Sequence, residues 1–178
     1  QGTAESLQQA IEKWETALSL WREVGDQSKE ALINLALGRT HDSLGLKQKA
    51  LDYYNQALLL YRKLEDRAGE ATTLNNIGLV YSDLGEKQQA LEYYQQALPL
   101  SQAVGDRARE ATTLNNIGLV YSDLGEKQQA LEYFQQALPL RRAVGDRAGE
   151  ATTLNNIGLV YSDLGEKQQA LEYFQQAL

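Results

Sequence analysis

The chain has 178 residues, 43% of them hydrophobic and 23% charged, with a formal net charge of −7. A pI near 4.8 without any basic stripe argues against nucleic acid as a partner, and no apolar run reaches the roughly 20 residues that span a bilayer. The absence of cysteine removes disulfide and thiol chemistry, and a single histidine cannot found a histidine-based metal cluster.

The first 30 residues predict one helix, from about Ala4 to Val24, closed by Gly25-Asp26. Its two tryptophans, Trp14 and Trp21, are expected to cover apolar surface on an end helix; an aromatic ligand contact is the other reading. Residues 31–70 predict a helix pair around Leu37, Gly38 and Ala50. His41 takes a core-facing position there, so a packed histidine is expected rather than a catalytic one. Glu65 stands where later turns have Gly105 and Gly145, and that turn is expected to differ, since a side chain disfavours the left-handed conformation.

The segment 111–138 returns letter for letter at 151–178, and at 71–98 with only Tyr94 in place of Phe134. The period is forty residues, so the chain is an array of one supersecondary unit. Within the unit, Leu114, Ile117, Gly118 and Tyr121 fall on one helix face. Gly125 suits the left-handed residue after a helix end. A second stripe, Ala130, Phe134, Ala137 and Leu138, marks a second helix closed by Gly145, and Asp146 can cap the next. The unit is therefore helix A, turn, helix B, turn, with Gly118 and Ala130 small where the two axes approach. Pro99 and Pro139 lie inside helix B and predict a kink or break. The array divides into a leading B-type helix (1–30), full repeats at 31–70, 71–110 and 111–150, and a shortened one at 151–178. The lack of methionine, even at position 1, leads us to expect a segment of a longer chain.

Leu114, Ile117, Gly118, Tyr121, Ala130, Phe134 and Ala137 resemble the signature of the tetratricopeptide repeat. The forty-residue length and the GDRAGEA ending are similar to the repeats of mitotic-spindle orientation adaptors, and TLNNIGLVY to those of kinesin light chain and bacterial signalling arrays. The resemblance covers essentially the whole chain. It implies an all-α, right-handed superhelical solenoid of antiparallel helix pairs, here nine helices, with the A helices lining a concave groove.

In that family the groove is the usual peptide site. Matched position by position, the groove residues are Asn75, Asn76, Leu79 and Asp83, then Asn115, Asn116, Leu119 and Asp123, then Asn155, Asn156, Leu159 and Asp163, with Thr72, Thr112 and Thr152 and the serines 82, 122 and 162 beside them. Asn76, Asn116 and Asn156 fit either of two roles. A side-chain amide offers both donor and acceptor to a peptide backbone, or it ties neighbouring helices together. Asn75, Asn115 and Asn155 are expected to be exposed. The leucines serve as groove floor or as packing between repeats. Arg39 is the one basic groove residue among these positions, so a clamp for acidic tails lacks charges, and the aspartates favour a neutral or basic ligand.

No nucleophile–base pair, phosphate loop or metal spacing is present, and near-identical repeats would give near-identical sites where catalysis needs different groups converging. The sequence therefore predicts a non-enzymatic, cofactor-free, cytoplasmic scaffold that binds a protein or peptide. Two other readings stay open. One is a structural spacer or engineered array, able to self-associate through uncapped ends; the other is the sensor arm of a larger bacterial signalling protein.

Overall fold

The computed structural model describes residues 4–178. Among them are nine α-helices and no strand: α1 (Ala4–Val24), α2 (Gln27–Ser43), α3 (Lys47–Lys63), α4 (Arg67–Asp83), α5 (Lys87–Ala103), α6 (Arg107–Asp123), α7 (Lys127–Ala143), α8 (Arg147–Asp163) and α9 (Lys167–Gln176). The even-numbered helices are the A helices; α1 packs on α2 as α3, α5 and α7 pack on the A helices that follow them.

The repeat is forty residues long by sequence but twenty by backbone. Helices α2 to α8 have 17 residues each, and the same three-residue turn follows A and B alike. After α4, Gly85 N–H donates to the Ser82 carbonyl at 3.1 Å and Glu86 N–H to the Tyr81 carbonyl at 2.9 Å. After α5, Gly105 N–H donates to Gln102 and Asp106 N–H to Ser101, both at 3.0 Å. This pair of bonds satisfies the last carbonyls and needs a left-handed residue at its centre, which Gly85 supplies at φ 80° and Gly105 at φ 70°.

Glu65 makes the same turn, contrary to expectation. Its φ is 55°, and Asp66 N–H still reaches the Tyr61 carbonyl at 2.9 Å. The surrounding bonds hold the geometry, and the side chain carries the strain.

Neither proline breaks its helix: α5 runs through Pro99 and α7 through Pro139. Both are exposed, as are Gln95 and Gln135, whose carbonyls lose an N–H partner. Water can satisfy those carbonyls, which is why a proline on the outer surface is tolerated.

Each A helix starts on a capping aspartate. Asp66, Asp106 and Asp146 accept the N–H of Gly69, Arg109 and Gly149 at 2.9 Å. The pairs then lock through an aromatic ring of helix B laid on a glycine of helix A. A Cβ on Gly118 would sit 2.7 Å from the Phe134 ring, and one on Gly78 would sit 2.6 Å from Tyr94. The glycine thus makes room for the ring, beyond letting the axes approach Ala130. Tyr54, Tyr94 and Phe134 are fully buried there. Trp14 holds the matching place on α1 with no A helix before it among the described residues, and remains 39% exposed, so its expected cover is only partial. Trp21 is half-buried against Ile11, Leu18, Ile33 and Leu37. His41 is buried, its Nδ1 donating to the Leu37 carbonyl at 2.9 Å and its ring 5.0 Å from that of Tyr53, in the place of the stacked tyrosine pairs of later repeats.

A second size match sits where the tail of helix B meets the next helix A. Tyr61 faces Gly69, where a Cβ would come within 2.3 Å of the ring. Arg141 faces Gly149, with 2.7 Å left for a Cβ. Between them the order inverts: Ser101 is small and fully buried, and Arg109 is large. Bulk on one helix is matched by its lack on the other.

Two outcomes follow for stability. Glu65→Gly should raise it by about 0.5–1 kcal/mol, measured by urea unfolding, because the left-handed strain is relieved. Ser101→Tyr should lower it by about 1–3 kcal/mol through overpacking, and adding Arg109→Gly should restore most of the loss; a double-mutant cycle reads this coupling directly.

Candidate binding groove

The backbones of successive A helices approach one another (α2 with α4, α4 with α6, α6 with α8), whereas those of successive B helices stay apart and meet through long side chains, Tyr53 with Glu15 and Arg62 with Gln96. The stack therefore bends with its A helices inside, and their inner faces form a concave groove.

The asparagines predicted for that groove do different work from one another. Asn75 Oδ1 accepts from Asn116 Nδ2 and from the Thr113 hydroxyl, both at 3.3 Å. Asn115 Oδ1 accepts from Asn156 Nδ2 at 3.2 Å and from Thr153 at 3.3 Å. Asn75 is thus half-buried and Asn115 only 7% exposed, against the expectation of free groove residues. The cause is the following helix A, which closes over each of them. Asn155 has no following A helix among the described residues, and is exposed.

Asn116 and Asn156 are the donors of these ties. Asn76 breaks the series. Leu35 stands where an acceptor asparagine would be, and Asn76 Nδ2 is left buried with no partner. An orphaned buried donor is uncommon, because its lost hydration is not replaced.

The aspartates are not free acids in the groove either. Asp83 takes Lys47 Nζ at 2.6 Å, Asp123 takes Lys87 at 2.5 Å and Asp163 takes Lys127 at 2.6 Å. Each lysine opens a B helix and reaches the end of the next A helix, so these contacts tie repeats together. The acidity on which a preference for basic ligands rested is already paired. Leu79, Leu119 and Leu159 are 41%, 40% and 50% exposed. Arg39 falls in their row, one repeat earlier, and is exposed.

Two further arginines enter the groove from places outside the inner face of helix A. A cavity of about 370 Å³ lies over α4, and Arg39, Arg109 and Arg141 line it together with Asn75, Asn76 and Asp106. Arg109 comes from the first turn of α6 and Arg141 from the tail of α7. Arg141 Nη1 meets Asp146 at 2.6 Å and its Nη2 donates to the Thr112 hydroxyl at 2.9 Å. The Asp146 carboxyl is held below the ordinary carboxylate range, first by the Gly149 N–H that it accepts and then by the Arg141 guanidinium. The sequence signal for these two residues was the inverted size pattern at positions 101, 109, 141 and 149.

Among the described residues no cluster of acidic, histidine or cysteine side chains could hold a metal ion, and no helix is long and apolar enough to cross a membrane.

A family model of the tetratricopeptide repeat matches residues 3–63, 48–103, 69–143 and 109–178. No functionally curated protein matches the chain. Among solved structures, BtubC (BKLC) of P. vanneervenii superposes with a TM-score of 0.89 at 26% identity, over 97% of this chain and 72% of that one. A Rap protein complexed with competence and sporulation factor gives 0.83 at 18% identity, over 97% of this chain and 48% of the other, so the chain spans about half its length. A Podospora anserina kinesin light chain structure with nearly identical repeats gives 0.76 at 16%, over 96% and 85%.

The asparagine ties can be tested singly. Asn115→Ala strands the half-buried Asn156 amide and should cost about 1 kcal/mol. Asn155→Ala removes an exposed group and should stay within about 0.5 kcal/mol. Amide exchange in α8 reads both, and should accelerate in the first variant only.

Proposed function

The chain belongs to the tetratricopeptide repeat family, and on that premise we propose that it is a non-enzymatic, cytoplasmic interaction scaffold. Its concave groove takes an extended peptide segment of a partner protein. The single observation that carries this reading is the exposed leucine row. Leu79, Leu119 and Leu159 stand at one position of successive A helices, each at least 40% exposed, in a groove whose other walls are polar. An apolar floor with polar walls suits a ligand that buries side chains below and pairs its backbone beside them. The Rap protein of like fold, solved in complex with competence and sporulation factor, supports the reading by showing the fold with a bound partner. Near-identity of the repeats adds a second support: a ligand of regular spacing meets the same contacts at each step.

Self-association through the array's end is a second reading with its own observation. Leu171 of α9 is 50% exposed, whereas Leu91 and Leu131 at the same position of α5 and α7 are 3% exposed, covered by the next A helix.

A peptide-display selection on the whole chain separates the two. On the groove reading, one sequence pattern is enriched on the parent and lost on the triple variant Leu79→Gln, Leu119→Gln and Leu159→Gln, which changes only exposed groove residues and keeps its circular dichroism. Failure of any pattern to enrich, together with a sedimentation mass that rises with concentration and falls back in Leu171→Glu, would establish the assembly reading instead.

A further inference from the structure

We propose that the furrow between α1 and α3, on the outer side of the stack, is a binding site for a short aliphatic diamine. The site lies across the molecule from the concave groove and stands or falls independently of it.

The furrow consists of two adjoining cavities, of about 480 and 340 Å³, that share Glu15, Leu18, Arg22 and Tyr53 in their walls. One runs out to Glu23 and the other to His41 and Asp52. The second end holds an unspent polar atom. His41 is only 3% exposed, and its Nδ1 donates to the Leu37 carbonyl. A carbonyl only accepts, so Nδ1 carries the proton, and Nε2 of the neutral ring is an acceptor. Nε2 has no partner among the described residues, and His41 forms part of the cavity wall. A donor from a ligand completes it.

The charge around the furrow points to the kind of donor. Of the two cations in its walls, Arg22 is already engaged, Nε with Glu30 at 2.8 Å and Nη2 with Gln56 at 3.1 Å. That leaves Lys49 against three carboxylates, Glu15, Glu23 and Asp52. Glu15 receives the Tyr53 hydroxyl at 3.3 Å and Asp52 the Gln48 amide at 3.2 Å, while Glu23 has no partner among the described residues. An ammonium group brings three donors and one positive charge, so it can serve a carboxylate and an imidazole nitrogen together. Glu15 and Glu23 stand eight residues apart on α1, about 12 Å of helix, with buried Leu18 between them. Two ammonium groups on an aliphatic stem match that order of acid, apolar wall and acid.

The residues that build the furrow depart from the repeat together. Glu15 has Asn55, Gln95 and Gln135 as counterparts, and Glu23 has Lys63, Ala103 and Ala143. His41 stands where Tyr81 stacks on Tyr93 at 5.3 Å, and Ser19 is small where Leu59, Pro99 and Pro139 follow. The first furrow is thereby wider and more acidic in its walls than the same positions make the later ones.

The test is a titration of the ¹⁵N-labelled full chain with 1,6-diaminohexane at about pH 8, where alkylammonium groups are charged. His41 is the only histidine, so its imidazole nitrogens are read without ambiguity. Its Nε2 resonance should shift and saturate at one diamine per chain. The matched probes 1-aminohexane, 6-aminohexanoate and N-acetyl-lysine methylamide each lack the second ammonium and should bind about fivefold or more weakly. Calorimetry reads the variants. Glu15→Gln and Glu23→Gln should each weaken the diamine by about the same factor. His41→Tyr installs the ring that later repeats carry at this place, so it keeps the fold, and it should abolish saturable binding. Glu132→Gln removes one carboxylate from a later furrow and should change nothing. A diamine that gives no saturable shift at Nε2 overturns the proposal. So does unchanged binding in His41→Tyr, or an equal loss in Glu132→Gln, either of which reduces the effect to the net acidity of the chain. Tighter binding of 6-aminohexanoate makes Lys49 the partner of a carboxylate and overturns the diamine assignment. Binding of the lysine derivative as tight as that of the diamine overturns the two-ended site.

Discussion

Every pair in the array depends on one contact: an aromatic ring of helix B laid against a glycine of helix A. With no Cβ opposite the ring, which is fully buried in the first three pairs and half-buried in the last, the two helices close to a fixed distance. That contact sets the pair, and the pair sets the rest. Because the ring consumes the space on one side, the remaining apolar face of helix B, with Leu91 or Leu131 at its centre, can only be covered by the A helix that follows. Stacking is thus forced by incomplete burial within each pair, as in other arrays whose units cannot bury their apolar surface alone.

Polar ties between repeats then divide the surface into committed and uncommitted parts. The lysine–aspartate contacts and the asparagine ties consume groove groups that would otherwise face solvent. They are partly exposed interactions and modest one by one, yet they recur at each step and fix one helix A against the next. What they leave over is informative. Where Leu35 interrupts the tie, Asn76 Nδ2 is stranded, and where Arg141 enters, its Nε is buried without a partner. Irregularity in the repeats is therefore where chemistry collects, while regularity supplies the frame.

The frame was legible in the sequence because its determinants are local or strictly periodic. Left-handed glycines, capping aspartates and the glycine–aromatic pairs lie within a single forty-residue unit. The site was legible only in part. The asparagines fall on the A helices, but the partners of Asn75 and Asn115 lie 38 and 41 residues ahead, on another helix. Nothing in a helical period says which of two adjacent asparagines faces the next repeat. Glu65 and the break expected at the prolines were misread for the opposite reason: a local penalty was allowed to decide the backbone. Arg109 and Arg141 were missed because groove residues were sought only along the inner face of helix A, whereas a helix start and a helix tail also open onto it.

The inverted match at the turn between α5 and α6 also bears on how such a chain changes length. Each bulky residue and its small counterpart, Tyr61 with Gly69, Ser101 with Arg109, Arg141 with Gly149, lie eight residues apart on the same side of the junctions before Ala71, Ala111 and Ala151. The stretches following those junctions are nearly identical, so recombination between copies would exchange whole blocks there. An exchange of that kind carries both members of a matched pair together and never creates a clash. It does, however, move the arginines relative to one another. Gain or loss of a block keeps the solenoid sound while dissolving or relocating the cavity they line, so architecture is inherited by the block and surface detail by the order of blocks.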